Sequence, residues 1–390
     1  MLRAPLVPRL LVAAVITRGP IGVVGLAIVL VVRDASASYA AAGAVAAAFA
    51  VGVAAIAPLL GRLVDRLGAR PVLLPLAAAH AVALLLLVAL AEARSPVTVL
   101  GLVAFAGGVT VTPVGSVMRA LWPELVAPEL LTTAYALDSV SVELVFMVGP
   151  LLVAAATAAG EPGIALVVAA ALVLGGTLAF TTCEPVRNYA PASHERATGG
   201  RLGALRSAGV RTVVLSSIPI GFCLGAAEVA FPAFGESIGE AALAGPLIAL
   251  WSLGSAAGGI AYGAHGHRLS AAAAYTLGAA ALPLATLPLA LAGSFGAMIP
   301  LALLAGLAVA PLLAAANQVI GQVAPRGALT EAFTWPITAL VAGVSAGNAA
   351  AGAAIQAEDW RAAFVVAAAV GMLGFLALVA RRAPLAPATA

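Results

Sequence analysis

Four ionisable side chains stand inside otherwise apolar runs of this chain: Arg18, Asp138, Glu143 and Glu228. On insertion scales such a group costs about 2.5–3.5 kcal/mol at the centre of a membrane span, so its presence there calls for a reason. A buried carboxylate can carry a proton, and an arginine can hold a carboxylate or another anion. Arg18 and Asp138 fall at depths within about one turn of each other at ~1.5 Å per residue, if their segments start from the same side. An ion pair and a substrate-facing role are both open to them. Glu143 follows Asp138 on the same run but points about 140° away, so it faces another neighbour. It is the candidate proton carrier; the alternative is a glutamate held by hydrogen bonds to another helix. Glu228 lies late in its run, as a relay, a gate or an interfacial carboxylate. Trp251 and Trp335 sit mid-run, where they could stack on an aromatic or cationic substrate or simply pack. Trp122 and Trp360 read as interfacial anchors, and His80 as a buried, hydrogen-bonded histidine.

A second concentration of chemistry is "GRLVDRLGAR", residues 61–70, with Arg62, Asp65, Arg66 and Arg70 between glycines. Gly61 lets a neighbouring helix approach closely. Gly68 can take a positive φ in a tight turn. Asp65 can accept hydrogen bonds from the free N–H groups at another helix's N-terminus, aided by the helix dipole. Arg66 and Arg70 can fork onto carboxylates, for which Glu124 and Glu129 are candidates.

The elements that must position these groups follow from composition. Only 9% of the 390 residues are charged and 63% are hydrophobic, with a mean hydropathy of +1.11. Soluble chains carry about 25% charged residues, so this chain resides in a membrane. All 19 basic residues are Arg, which carries no mechanistic message. At about 20 residues per crossing, cutting at charge and turn clusters gives helical spans near 9–32, 39–61, 71–91, 96–119, 131–158, 164–183, 208–232, 240–263, 269–292, 295–319, 329–355 and 361–380. The first run is too long for a signal peptide. Pro and Gly recur inside the spans, which membrane helices tolerate when neighbours satisfy the freed groups. Cys183 and Cys223 fall in or beside apolar runs and read as small buried side chains rather than a disulfide.

Arginine placement sets the expected orientation. With a cytoplasmic N-terminus, only Arg33, Arg94 and Arg361 fall outside and Arg18 within a span; the other arginines, from Arg3 to Arg382, fall inside. Both termini are then cytoplasmic. The longest connection, 184–207, reads as a cytoplasmic linker between an N-terminal half, 1–183, and a C-terminal half, 208–390. Its "RLGALRS" portion, 201–207, could lie on the membrane as a short basic helix or be plain solvated linker. The halves repeat at an offset of about 198 residues: "LTTAYALDSV" at 131–140 falls on "LTEAFTWPIT" at 329–338, Pro113 on Pro311, Gly108 on Gly306 and Gly149 on Gly347. Secondary transporters are often built from such parallel repeats.

On these residues the chain resembles the major facilitator superfamily. Gly61, Asp65, Arg66, Gly68 and Arg70 occupy the positions of its signature, Gly-x-x-x-Asp-Arg-x-Gly-x-Arg, between spans two and three of a six-plus-six repeat. The resemblance implies an all-α integral membrane fold of two pseudo-symmetric six-helix halves. It also implies that 61–70 latches the halves together on the cytoplasmic face while the outside is open. Asp65 is then expected on the N-terminus of span eleven, near Thr330 to Phe333. The second-half copy, "GIAYGAHGHR" at 259–268, keeps Gly259, Gly266 and Arg268 but has Gly263 and Ala264 where the first has Asp65 and Arg66. The latch is therefore expected to be asymmetric. His265 and His267 in this copy lack a Cys or carboxylate nearby and are weak metal ligands.

Gly149 and Pro150, in "VGP", partly match the span-five signature of family members that export drugs against protons. Val145, Val153 and Ala154 stand where further glycines are usual, and Ala104 stands where an arginine is usual in span four. The reading is of a secondary transporter moving a small organic molecule by alternating access as a proton-coupled exporter, most like the drug and metabolite efflux branch. Uptake or facilitated diffusion, and a non-transporting sensor or scaffold, are the alternatives. No phosphate loop is present: "GLVAFAGG" lacks the Lys-Ser/Thr pair. Nothing calls for enzymatic chemistry, a cofactor, a metal or nucleic acid. The expected partners are a small-molecule substrate, a proton and the lipid bilayer, for a monomer in a bacterial cytoplasmic membrane.

Overall fold

The structure is a computed structural model describing residues 6–36, 38–189, 203–240, 244–265, 268–325 and 327–385. Among them every regular element is a helix and there is no strand. Twelve helical stretches are long and apolar enough to cross a membrane: Val7–Ser36, Ala41–Leu67, Ala69–Glu92, Val97–Leu125, Pro128–Ala158, Gly163–Thr182, Ala208–Ser237, Gly245–His265, Ala271–Leu291, Phe295–Val323, Leu329–Ala357 and Trp360–Ala380, numbered one to twelve in that order. The chain is thus an all-α, multi-pass membrane protein.

The charged stretch 61–70 is hardly a loop. Span two runs on as helix through Arg62, Asp65 and Arg66 to Leu67, and span three begins at Ala69. Gly68 alone makes the turn, at φ 88° and ψ 166°, a region open to glycine and strained for other residues. Hydropathy marks where a helix leaves apolar surroundings, not where its backbone hydrogen bonds stop, so the sequence ended this span too early.

Spans four and ten are broken. In span four helix runs from Val97 to Val109 and again from Val114 to Leu125. At the end of the first helix both the N–H and the hydroxyl of Thr110 donate to the carbonyls of Ala106 and Gly107, the hydroxyl at 3.1 and 2.9 Å. Pro113 sets this break: it has no N–H and biases the residue before it away from helix. In span ten the break lies between Gly306 and Val309, where the ring of Pro311 would crowd the Leu307 carbonyl. The two prolines are the pair matched by the repeat.

Contacts divide the chain into two compact units: Met1–Leu125 with Leu144–Thr198 and Arg326–Thr334, and Val126–Glu143 with Gly199–Pro325 and Trp335–Ala390. In the first, span one packs on six, two on four, and three on six. Ile28, Val32, Leu84, Leu87, Leu100, Leu166 and Val173 fill its core. In the second, seven packs on twelve, eight on ten, and nine on twelve. Each pairing in the first unit recurs six spans later in the second. The repeated glycines lie at these crossings: a Cβ on Gly108 would collide with the Phe49 carbonyl, and one on Gly306 with that of Trp251.

Of the linker, Glu184–Arg187 is a short helix and Gly203–Arg206 a single 3-10 turn. Over the described part of 201–207, Gly203 and Ala204 are buried in that turn, which fits neither a surface helix nor a fully solvated linker. Arg201 and Leu202, like the rest of 190–202, lie outside the described residues, as do Arg3, Gly266, His267 and Arg326. Cys183 and Cys223 are buried and free. Neither expected tryptophan anchor faces lipid. Trp122 is fully buried, and Trp360 is covered by Phe234 and Phe364, with the Arg361 guanidinium 4.4 Å from its ring centroid.

Candidate functional site

The first unit holds the charged stretch against the start of span eleven. That helix begins at Leu329, and Ala332 N–H reaches the Ala328 carbonyl at 2.9 Å, which makes Ala328 the capping position. Alanine has no side-chain acceptor for the free N–H groups of the first turn. Asp65 supplies one from span two: Oδ1 accepts from Thr330 N–H at 3.0 Å and Oδ2 from Glu331 N–H at 2.9 Å. A carboxylate from a distant part of the chain thus does the work of an N-cap, favoured by the helix dipole. Asp65 is 5% exposed and Thr330 fully buried, so these groups have little access to competing water.

Gly61 lies one turn before Asp65 on the same face of span two. A Cβ there would come within 2.9 Å of Glu331 Cα and Thr334 Oγ1. Glycine is therefore what allows the helix start close enough for Asp65 to reach it. Arg62, beside Gly61, grips Glu331 through two hydrogen bonds, Nε to Oε2 at 3.1 Å and Nη2 to Oε1 at 2.7 Å. Arg66 and Arg70 are exposed, as are Glu124 and Glu129; among the described residues neither arginine forms an ion pair. The pairings expected of them are replaced by Arg62 with Glu331. The Tyr189 hydroxyl completes the cluster, donating to Asp65 Oδ1 at 3.2 Å and meeting Thr330 Oγ1 at 2.9 Å.

The second unit repeats this crossing without charge. Gly263, at the place of Asp65, offers its carbonyl to the Thr133 hydroxyl at 2.6 Å. A Cβ on Gly263 would stand 3.1 Å from the Ala136 Cβ, and one on Gly259 2.7 Å from Val140 Cγ2. Thr133 and Ala136 correspond, at the 198-residue offset, to Glu331 and Thr334. Gln318 steadies this copy, donating to Thr132 Oγ1 at 3.0 Å and accepting from the Tyr262 hydroxyl at 3.3 Å.

Arg18 is 3% exposed, with its guanidinium against Gly115 at the start of the second half of span four. Asp138 is fully buried in the second unit. Glu143 Oε1 accepts from the Ser255 hydroxyl at 2.7 Å, and Ser255 Oγ accepts from Ala310 N–H at 3.1 Å. Ala310 is in the first turn after the break in span ten, so Ser255 caps a freed N–H while donating to the carboxylate. The Glu228 carboxylate meets the Asn348 side chain. His80 Nδ1 donates to the Gly107 carbonyl at 2.8 Å. Trp251 is 8% exposed and pairs edge to face with Phe231, centroids 5.3 Å apart, so its ring is engaged in packing rather than open for stacking. Trp335 is half-buried. Gly149 lies against the backbone of Gly22, where either side chain would collide, and Pro150 follows it in the same helix. Among the described residues no group of His, Cys, Asp and Glu could hold a metal ion.

Sequence reasoning named Arg62 and the region from Thr330 to Phe333 but missed the pairing of Arg62 with Glu331, and it missed Tyr189 and Ser255 altogether. Tyr189 and Ser255 carry no local signal, since each gains its role from a partner over 50 residues away.

The structure thus combines twelve apolar spans, pairings that recur six spans later, and a span-two carboxylate that caps the start of span eleven. Residues 10–299 match the family model described as Major Facilitator Superfamily, and the chain belongs to that family, whose members move small molecules and are not enzymes. No curated protein matches the chain. Among solved structures, the human organic anion transporter MFSD10 (TETRAN) is 18% identical, with a TM-score of 0.76 over 96% of this chain and 98% of that one. A bacterial homologue of the iron transporter ferroportin, in an outward-facing state, is 15% identical, with a TM-score of 0.79 over 96% and 98%. The E. coli fucose:proton symporter FucP is 14% identical, with a TM-score of 0.70 over 97% and 99%. Identities this low speak to the fold.

Proposed function

We propose that the protein exports a small organic molecule by alternating access, coupled to proton entry, from a bacterial cytoplasmic membrane in which both termini are cytoplasmic and the protein is a monomer. The moving bodies in this reading are the six-span repeats, 1–183 and 208–390, joined by the 184–207 linker. The observation that carries it is the seat of Asp65 on Thr330 and Glu331, next to the close approach at Gly61. These contacts join the first repeat to the second, cost little to re-form, and must part for a path to open on that face. They act as a cytoplasmic clasp of Gly61, Arg62, Asp65 and Glu331.

Proton coupling is assigned to Glu143. Its hydrogen bond to Ser255, at the break in span ten, ties the charge of one carboxylate to a place where the helix can bend. The Gly149–Pro150 step, tight against Gly22, supports the export branch, while Arg18, Asp138, Glu228 and Trp335 are the other groups assigned to the pathway. A second reading, uptake, is favoured by Ala104, which leaves span four without the arginine usual in exporters. Purified protein in liposomes, with an imposed pH gradient and a panel of cationic drugs, sugars and organic acids, tests both. Export expects accumulation of a panel member in the acidic compartment; transport indifferent to the gradient overturns the coupling.

A further inference from the structure

We propose that Tyr189 is a positioning residue of the clasp: its hydroxyl bridges Asp65 and Thr330 and fastens the start of the inter-repeat linker to the closed arrangement. The proposal rests on the clasp reading and adds a third part to it.

Tyr189 is not a chance contact of a loose segment. The short helix Glu184–Arg187 is anchored by Val186, which is fully buried, and it packs on spans three, four and six. The Tyr189 N–H then returns to the Val186 carbonyl at 3.3 Å. The ring is therefore delivered to the clasp by a fixed support of its own. Burial, then the negative charge of Asp65, push the phenol above its ordinary range, so it stays protonated and remains a donor.

The bridge has a directional consequence. Asp65 belongs to the first repeat and Thr330 to the second. When they part, one hydroxyl can follow only one of them, so the bridging geometry exists only while the clasp is closed. A residue bonded to one side alone would stabilise both states alike and shift nothing. The carboxylate also gains: Oδ1 receives a second donor in a place with little water, where an unfilled acceptor is costly.

The test uses the full-length protein with Cys183 and Cys223 replaced by alanine and Thr334→Cys as reporter. Thr334 is 1% exposed and lies against Gly61, so a membrane-impermeant maleimide reaches the reporter thiol only when the clasp opens. Tyr189→Phe is expected to raise the labelling rate about three- to ten-fold, the range for loss of one hydrogen bond. Thr330→Val removes the other end of the bridge and is expected to do the same. In an Asp65→Asn background, Tyr189→Phe should add little, because coupled residues are non-additive. A lowered melting temperature with unchanged labelling, or an equal increment in both backgrounds, overturns the bridge. Asp65→Asn without effect on labelling instead overturns the clasp itself.

Discussion

Arg62 holds Glu331 by two parallel hydrogen bonds, 3.1 and 2.7 Å long, with the glutamate side chain 2% exposed and the arginine 25%. The pair is the second attachment of the charged stretch to span eleven, made through the side chain of the residue whose N–H Asp65 holds. Arg62→Ala should therefore favour the open clasp by roughly 1–3 kcal/mol, between the values for exposed and buried pairs. Arg66→Ala and Arg70→Ala should leave clasp opening unchanged. Maleimide labelling of the Thr334→Cys reporter in each variant reads the difference, and equal effects from all three arginines would remove Arg62 from its place.

Asp65→Asn keeps the shape of the side chain but puts an amide where one of two backbone donors must be accepted. Hydrogen bonds to a charged group contribute about 1.5–3 kcal/mol each, so the open state should gain by at least one such bond. The expected outcome is faster labelling of the Thr334→Cys reporter and a shift toward the cytoplasm-open form. Unchanged labelling sinks the latch.

The neutral crossing at Thr133 and Gly263 should be the weaker of the two. Thr133→Val removes one neutral hydrogen bond, worth about 0.5–1.5 kcal/mol. An Ala136→Cys reporter, at a buried position, is expected to label faster in that variant. The factor should be smaller than the one Asp65→Asn produces with the Thr334→Cys reporter. The reverse order would mean that charge is not what sets the strength of these crossings.

Gly149→Leu forces side-chain atoms into the backbone of Gly22. Overpacking of this kind typically costs 1–3 kcal/mol, and here about that much or more, because no flexible side chain can yield. Melting temperature in detergent should fall, whereas a change at Gly25, where a Cβ meets nothing within 4 Å, should be nearly silent. Comparable losses at both positions would argue against a backbone-to-backbone crossing of spans one and five.

Glu143→Gln keeps an acceptor for Ser255 but cannot carry a proton. It should abolish acceleration of transport by a pH gradient while exchange of substrate across the membrane at equal pH continues. Ser255→Ala, which leaves Ala310 N–H uncapped, should slow both processes. Gradient-driven transport that survives Glu143→Gln assigns the proton elsewhere.

The place where Asp65 docks was legible because the family signature in 61–70 implied a partner at the start of span eleven, near Thr330 to Phe333. Its arginine partner was not legible. Reading 61–70 as a loop hid the fact that Gly61, Arg62 and Asp65 lie together on one helix face, with Arg66 a turn beyond. The breaks in spans four and ten were visible only as Pro113 and Pro311, since many prolines in this chain sit inside unbroken helices, Pro58 and Pro75 among them.

The sequence alone determined the twelve crossings, the repeat, the family signature and the loss of Asp and Arg from its second copy. Those properties are sums over local windows, or identities at fixed spacing, and apolar transfer energy makes them decisive. Tertiary structure decided who meets whom: Arg62 with Glu331, Tyr189 between Asp65 and Thr330, Ser255 between Glu143 and Ala310. Each of these depends on which helix faces are brought within about 3 Å, a distance set by glycine crossings and proline breaks that couple parts of the chain far apart in sequence.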